Sequence, residues 1–341
     1  MAALSGQAGT TSIGRIAAID LARGIALVAM IVYHFAFDLR LNGLIAVDVA
    51  TDPGWVLLAR ATAGTFLFLV GVNLVLATRR GIRPWPFLHR LGLIAGGAAL
   101  VSLATWLLAA FAGMGPQTFV FFGILHAIAV GSVFAIPFLQ APPYVTAITG
   151  ALVLFAPLLV ALPIDPALWW VGLSTSPPRT IDYVPIFPWF GVILVGVVAG
   201  RVLVDQGAER TLARWQPVNP IPRFVIRAGQ WTLLIYILHQ PILFGALWVA
   251  APYVSPERAG APVLAQSQSA ERAAFMGQCV PACRVSDRSE ATCAAFCTCM
   301  FDGLHGTDLY TVPAVELMQP EQRQRWDAIV NACAAPTTPA Q

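Results

Sequence analysis

One apolar stretch, Arg15 to Leu41, reads RIAAIDLARGIALVAMIVYHFAFDLRL and carries the ionisable side chains Asp20, Arg23, His34 and Asp38. A helix turns about 100° per residue, so the step from Arg23 to His34 returns to within roughly 20° of the same face. Asp20, Leu27, Ile31 and Asp38 fall near that face, whereas Ala22, Ala29 and Val32 lie opposite. Ionisable groups at membrane depth are costly, and a row of them on one face marks a candidate site. Imidazole takes up and returns a proton near neutral pH, which suits His34 to act as general base toward an attacking hydroxyl or amine. Asp38, one turn on, is placed to orient that ring and stabilise the imidazolium. Arg23 offers a permanent charge and a planar donor fork suited to phosphate or a developing oxyanion. Its plainer roles are an ion pair with Asp20 or a snorkelling contact with the membrane surface.

Two more histidines sit in apolar runs, His126 in FFGILHAIAVG and His239 in LLIYILHQPIL. Each reads as a weak binding candidate or as an ordinary hydrogen-bonded helix contact. Asp182, in the segment DYVP, reads as a rim residue or a turn residue. His89 falls in a loop and His305 in the C-terminal tail.

The elements that would position these groups follow from composition. With 57% hydrophobic and 11% charged residues and a mean hydropathy of +0.72, the chain is a polytopic membrane protein rather than a soluble one. No basic cluster interleaved with aromatics suggests nucleic acid. The N-terminus lacks the form of a cleaved signal peptide, so the first helix reads as an uncleaved anchor. Apolar runs predict about seven spans, roughly 16–39, 55–77, 91–112, 118–139, 144–162, 186–204 and 231–251. The fifth is interrupted by Pro157. Arginines crowd the loop after the second span (Arg79, Arg80, Arg83, Arg90) and the loop after the sixth (Arg201, Arg210, Arg214, Arg223, Arg227). Arginine-rich loops stay cytoplasmic, so the N-terminus reads as inside and, with seven spans, the tail as outside.

All six cysteines lie in that tail. Cys279 and Cys283 form one C-x3-C pair and Cys293 and Cys297 another, with Cys299 and Cys333 completing an even count. Residues four apart share a helical face, so two short antiparallel helices could join Cys279–Cys297 and Cys283–Cys293, leaving Cys299–Cys333, although the spacing does not fix this connectivity and free thiols are an alternative. Ser286–Ser289 supplies turn and N-cap residues between the pairs. Disulfides persist in an oxidising compartment such as the bacterial periplasm, in agreement with the charge-derived topology. The x3 and x1 spacings fit zinc motifs poorly even with His305 as a further ligand, and no metal site is expected. The expected architecture is all-α, a membrane helix bundle with a small Cys-rich helical extension. Its parts are a disordered 1–14, a membrane domain over 15–251, a polar linker 252–270, a Cys-rich helical module 271–333 and a disordered 334–341.

The R-x10-H spacing of Arg23 and His34, within DLARGIALVAMIVYHF, resembles the first helix of the acyltransferase-3 membrane O-acyltransferases. The wider set RIAAIDLARGIALVAMIVYH, GTFLFLVGVNLVLATRRG, FFGILHAIAVG and WTLLIYILHQPIL is similar to the catalytic-domain family of heparan-α-glucosaminide N-acetyltransferase. The resemblance spans most of residues 15–250 and implies acyl transfer at the membrane. The donor would be a cytoplasmic thioester such as acetyl-CoA, a co-substrate rather than a bound cofactor, and the acceptor a glycan-type or lipid-linked molecule outside. Carried over, the motif's Arg is Arg23 and its His is His34; apart from that motif, Asp20, Asn73, His126, Asp182 and His239 are weaker candidates for binding substrate or donor. One departure stands out. The N-acetyltransferase family places its histidine in the loop after the first helix, residues 40–54 hold none, and His34 falls where that family has Asn. The acyltransferase-3 pattern gives His34 the catalytic role directly. The implied location is an inner membrane of bacterial type, with the cysteine tail periplasmic; nothing in the sequence fixes an oligomeric state. Two rival functions use the same residues. One is a haem or quinone protein with His126 and His239 as ligands, and the other a transporter or channel with a polar intramembrane pathway.

Overall fold

The apolar segments all become helices, but not seven helices of equal reach. The computed structural model describes residues 15–42, 44–45, 47–111, 118–178, 180–254, 263–284, 289–305, 307–311 and 319–334. Of the tails expected to be disordered, 1–14 and 334–341, Ala334 instead ends a helix and the rest lie outside the described residues, as do 286–288 of the expected turn.

In the first unit, α1 (Ala17–Leu41), α2 (Pro53–Thr78), α3 (Pro84–Phe111), α4 (Ile124–Phe134), α5 (Pro143–Leu159) and α6 (Ile186–Asp205) are followed by the short α7 (Ala208–Arg214). Then come α8 (Pro220–Gln230) and α9 (Thr232–Val254). Among the described residues, α1, α2, α3 and α6 alone are long and apolar enough to cross a bilayer singly. The pair α8 and Thr232–Leu247 passes the same test together but is bent by 92°. At 11 residues α4 is about 16 Å long, half of the roughly 30 Å hydrocarbon thickness. By length and composition the described residues therefore offer four candidate spans, or five with the bent pair, where the sequence predicts seven. Hydropathy sees the apolar residues 118–139 as one run, yet residues 119–123 are not helical. α3 begins at Pro84, so His89 and Arg90 belong to a helix rather than to a loop.

Local signals explain several starts. Asp52 caps α2, its Oδ1 accepting from the Gly54 and Trp55 amides, and Pro53 opens the first turn where its missing N–H costs nothing. Helix contacts are set by small residues, because lipid is as apolar as leucine and close packing must supply the attraction. α2 packs along α6, with Leu67, Ile193, Leu194 and Val197 fully buried between and around them. There a Cβ on Gly71 would lie 2.1 Å from the Ile193 carbonyl oxygen, and one on Gly196 2.1 Å from that of Phe68.

The second unit holds α10 (Val263–Arg284), α11 (Glu290–Leu304) and α12 (Pro320–Ala334). The stretch read as a linker is helical at both ends, since α9 runs to Val254 and α10 starts at Val263. Ser289 caps α11 by accepting from the Thr292 amide. Cys279–Cys297 and Cys283–Cys293 tie α10 to α11, and Cys299–Cys333 ties α11 to α12, the pairing that helical spacing allows. A small core of Met300, Leu304 and Leu309, with Phe275, Trp326 and Ile329 against it, fills the space between. Such a core is too small to carry three helices alone, and each bridge adds on the order of 3 kcal/mol by restricting the unfolded chain. His305 bonds Glu271 at 2.9 Å rather than joining the cysteines.

Gly196→Val is expected to lower the melting temperature of the detergent-purified protein by several degrees, since a backbone contact must open. Gly92→Ala, where a Cβ meets nothing within 4 Å, is expected to leave it unchanged or slightly raised. Thermal unfolding of both variants checks this. Peptide mapping without reduction is expected to recover the three cross-links above and no free thiol among the six cysteines.

Candidate functional site

The site begins where α1 meets α8. A Cβ on Gly229 would lie 1.9 Å from the Asp20 carbonyl oxygen, and one on Gly24 2.1 Å from that of Val225. Backbone rests on backbone at this crossing, and only glycine permits it. The chain then turns through 92° into α9, which packs against α1. His34 and His239 each lie ten residues beyond their crossing glycine, and their rings meet edge to face with centroids 4.9 Å apart.

A second contact joins the same helices. Asp38, one turn from His34 and fully buried, accepts from Gln240 Nε2 at 2.8 Å through Oδ1. Asp38 therefore reaches across to α9; the expected hydrogen bond to the His34 ring is not among those formed. Tyr33 packs beside the His34 ring, 5.6 Å between centroids.

His239 is held by its own helix. Its Nδ1 lies 2.6 Å from the Tyr236 carbonyl oxygen. A carbonyl only accepts, so Nδ1 carries the proton, and in the neutral ring Nε2 keeps its lone pair. That Nε2 is buried with no hydrogen-bond partner, as are Asp38 Oδ2 and Gln240 Oε1. Buried polar atoms are nearly always paired in native structures, so three unpaired ones on neighbouring side chains single out this α1–α9 patch.

Asp182 enters from the segment between α5 and α6. Its Oδ2 accepts from the Ile124 amide at 3.1 Å and from the Tyr236 hydroxyl at 3.4 Å. The carboxylate thus caps the N-terminus of α4, where helix dipole and free amides favour a negative charge. Gly123 makes room for it, because a Cβ there would lie 2.2 Å from Asp182 Oδ2. The strand-like pairing of 180–184 with 119–123 fixes this approach, through Val184 N–H to Phe122 O (3.0 Å) and Thr180 Oγ1 to Phe119 O (2.6 Å). Burial pushes the Asp182 carboxyl above its ordinary value, while the bonds from Ile124 and Tyr236 pull the other way.

His126 is fully employed. Its Nδ1 accepts from the Gly123 amide at 3.2 Å, and its Nε2 lies 3.3 Å from Ser102 Oγ, whose own proton goes to the Val120 carbonyl. Both ring nitrogens serve the start of α4, which argues against His126 as one of two haem ligands. Asn73 donates back to the Leu69 carbonyl on its own helix.

Arg23 lies apart from His34. It pairs with Asp20 at 2.8 Å, and eleven residues of α1 put about 16 Å between it and His34. Arg15 and Arg90 lie within electrostatic range of it. The row of ionisable residues on α1 is thus divided, with guanidinium and Asp20 toward one end, imidazole and Asp38 toward the other. A crevice of about 290 Å³ bordered by Arg79, Arg201 and Asp205 touches none of these groups.

Gln240 and Tyr236 escape a reading of the sequence, although the stretch LLIYILHQPIL places both beside His239. An amide in an apolar run is itself a signal, because its desolvation demands partners.

The family model described as heparan-alpha-glucosaminide N-acetyltransferase, catalytic, matches residues 15–241. No curated protein and no solved structure matches the chain.

Asp182→Asn keeps an acceptor for Ile124 and is expected to melt within a few degrees of wild type. Asp182→Ala strands that amide and is expected to melt clearly lower, by about 1–3 kcal/mol of stability. A carboxyl whose value is raised on folding lends stability at low pH that is lost as pH rises through the raised value. The wild-type melting temperature should therefore fall relative to Asp182→Asn on that rise, as melts across pH 4 to 8 would register.

Proposed function

The chain belongs to the heparan-α-glucosaminide N-acetyltransferase catalytic family, and from that premise we propose that its membrane bundle moves an acetyl group from a thioester such as acetyl-CoA to a hydroxyl or amine of a glycan-type or lipid-linked acceptor. The family's name makes a glucosaminide amine the leading acceptor. The observation that carries the reading is the contact of His34 with His239, in which one imidazole nitrogen is buried with its lone pair free.

The histidine pair is the proton-handling centre. The acceptor's nitrogen or oxygen attacks the thioester carbonyl, its proton passes to imidazole, the C–S bond breaks, and the thiolate leaves with that proton. Tyr236 fixes His239 in the tautomer able to accept, and His34 lies against it, so that removing either ring disturbs the other. Arg23 is assigned to the donor. With Arg15 and Arg90 nearby it makes an electropositive end of the bundle suited to the phosphates of a coenzyme thioester. The roughly 16 Å from Arg23 to His34 along α1 leaves room for an extended thioester arm between phosphate and reacting carbon. Asp20 holds the guanidinium in place until the phosphate arrives.

The arginine ends face the cytoplasm in this reading, and the cysteine unit lies in an oxidising space, the periplasm of a bacterial-type inner membrane. The three disulfides support that side for the tail.

His34→Ala and His239→Ala are each expected to cut acetyl transfer by 10²-fold or more while the protein still inserts and melts near wild type, the usual scale for a lost general base. Arg23→Gln is expected to raise the KM for acetyl-CoA more than it lowers kcat. Steady-state kinetics on detergent-purified variants checks both, and near-normal turnover by His34→Ala and His239→Ala would remove the pair from the reaction.

A further inference from the structure

The short helix α8 carries a surface that neither water nor hydrocarbon suits. At 11 residues it is about 16 Å long, too short to cross a bilayer core of roughly 30 Å. α9 follows α1, because Gly229 lies at Asp20, His239 at His34 and Gln240 at Asp38. The 92° bend between α8 and α9 therefore turns α8 crosswise to both, at the end of the bundle where α1 begins. At about 100° per residue the side chains of α8 fall into three sectors. Val225 and Gly229 face α1, against Gly24 and Asp20. Ile221 and Phe224 make a second sector and are 77% and 75% exposed. Arg223 and Arg227 make a third, centred roughly 110° round from the apolar pair. Both arginines are exposed, and neither pairs with a carboxylate among the described residues. Trp231, at the corner, is 58% exposed, and tryptophan concentrates at the level of lipid headgroups.

We propose that α8 is a surface helix that binds anionic phospholipids, with Ile221 and Phe224 among the acyl chains and Arg223 and Arg227 on the headgroup phosphates. A helix with separate apolar and basic sides is stable in the plane of the membrane boundary, where each side finds its own medium. A guanidinium donates two parallel hydrogen bonds to a phosphate, and an anionic leaflet draws basic side chains to it. A zwitterionic headgroup sets a positive charge beside the same phosphate, so lipids without one are preferred. Free phosphate supplies the charge but no chain to cover Ile221 and Phe224. The backbone of α8 rests on α1 at Asp20 and Gly24, so lipid held on its outer sides braces the corner from which α9 starts. None of this depends on the acetyltransferase reading.

The test uses the full chain and has two parts. All six cysteines are in disulfides, so one added thiol can carry a nitroxide label. In bilayers of phosphatidylcholine and phosphatidylglycerol, a label at Phe224→Cys is expected to be relaxed more by oxygen than by a water-soluble nickel chelate, and one at Arg227→Cys the reverse. Both labels in water, or both in hydrocarbon, would overturn the placement. In detergent, phosphatidylglycerol is expected to raise the melting temperature saturably, whereas phosphatidylcholine and inorganic phosphate at the same concentration leave it unchanged. Arg223→Gln and Arg227→Gln should each weaken the apparent phosphatidylglycerol affinity about fivefold. Arg80→Gln, which removes an exposed arginine of the loop after α2, should keep it. Wild-type affinity in both α8 variants would sink the proposal. So would an equal loss in Arg80→Gln, no shift with phosphatidylglycerol, or the same shift with phosphatidylcholine or phosphate.

Discussion

The contact on which the membrane unit depends is the crossing of two backbones with nothing between them. At Gly24 and Gly229 the carbonyl of one helix occupies the space a side chain would need on the other. A side chain there would push α8 away from α1 and carry the corner at Trp231 with it. Since α9 starts from that corner, its rotation and height against α1 are set by the same contact. The His34–His239 and Asp38–Gln240 pairs are downstream of it, several turns along both helices. Van der Waals closeness between small residues, the main source of helix attraction in lipid, thus fixes where polar groups meet.

Two histidines in similar apolar sequences end in opposite circumstances. His126 has a partner on each nitrogen and sits in the joint that starts α4 beside Ser102 and Gly123. His239 has one nitrogen anchored to its own helix and the other left bare. In a medium without water a polar atom is either matched by protein or reserved for something that visits. Asp182 shows a third arrangement, a carboxylate spent on a helix end and on the hydroxyl of Tyr236.

Much of this was legible in the chain. The apolar runs give the helices, and the C-x3-C pairs on helical faces allow the disulfides that form. Helical spacing also puts Arg23, His34 and Asp38 on one face of α1. Spacing, however, speaks only of faces within a helix. That Asp38 would look to Gln240 and that His34 would find His239 are facts about neighbouring helices, which no periodicity encodes. Hydropathy counts seven spans where the described helices offer four or five candidates, for a related reason. Hydropathy averages over a window, and across 118–139 it cannot see that Gly123 must remain unwound so that Asp182 can reach the Ile124 amide.

The cross-links of the second unit have a topological consequence. α11 is bonded covalently to both of its companions, twice to α10 and once to α12, so it is the hub through which the unit is joined. Neither of the stretches that connect the helices in sequence is needed to keep them in one molecule. Cutting the chain in either would leave a single branched body of three helices, and only a reductant would release the pieces. Insertions should accordingly trouble this unit least within those two connections, provided that Ser289, which caps α11, and Leu309, which fills the core, are kept.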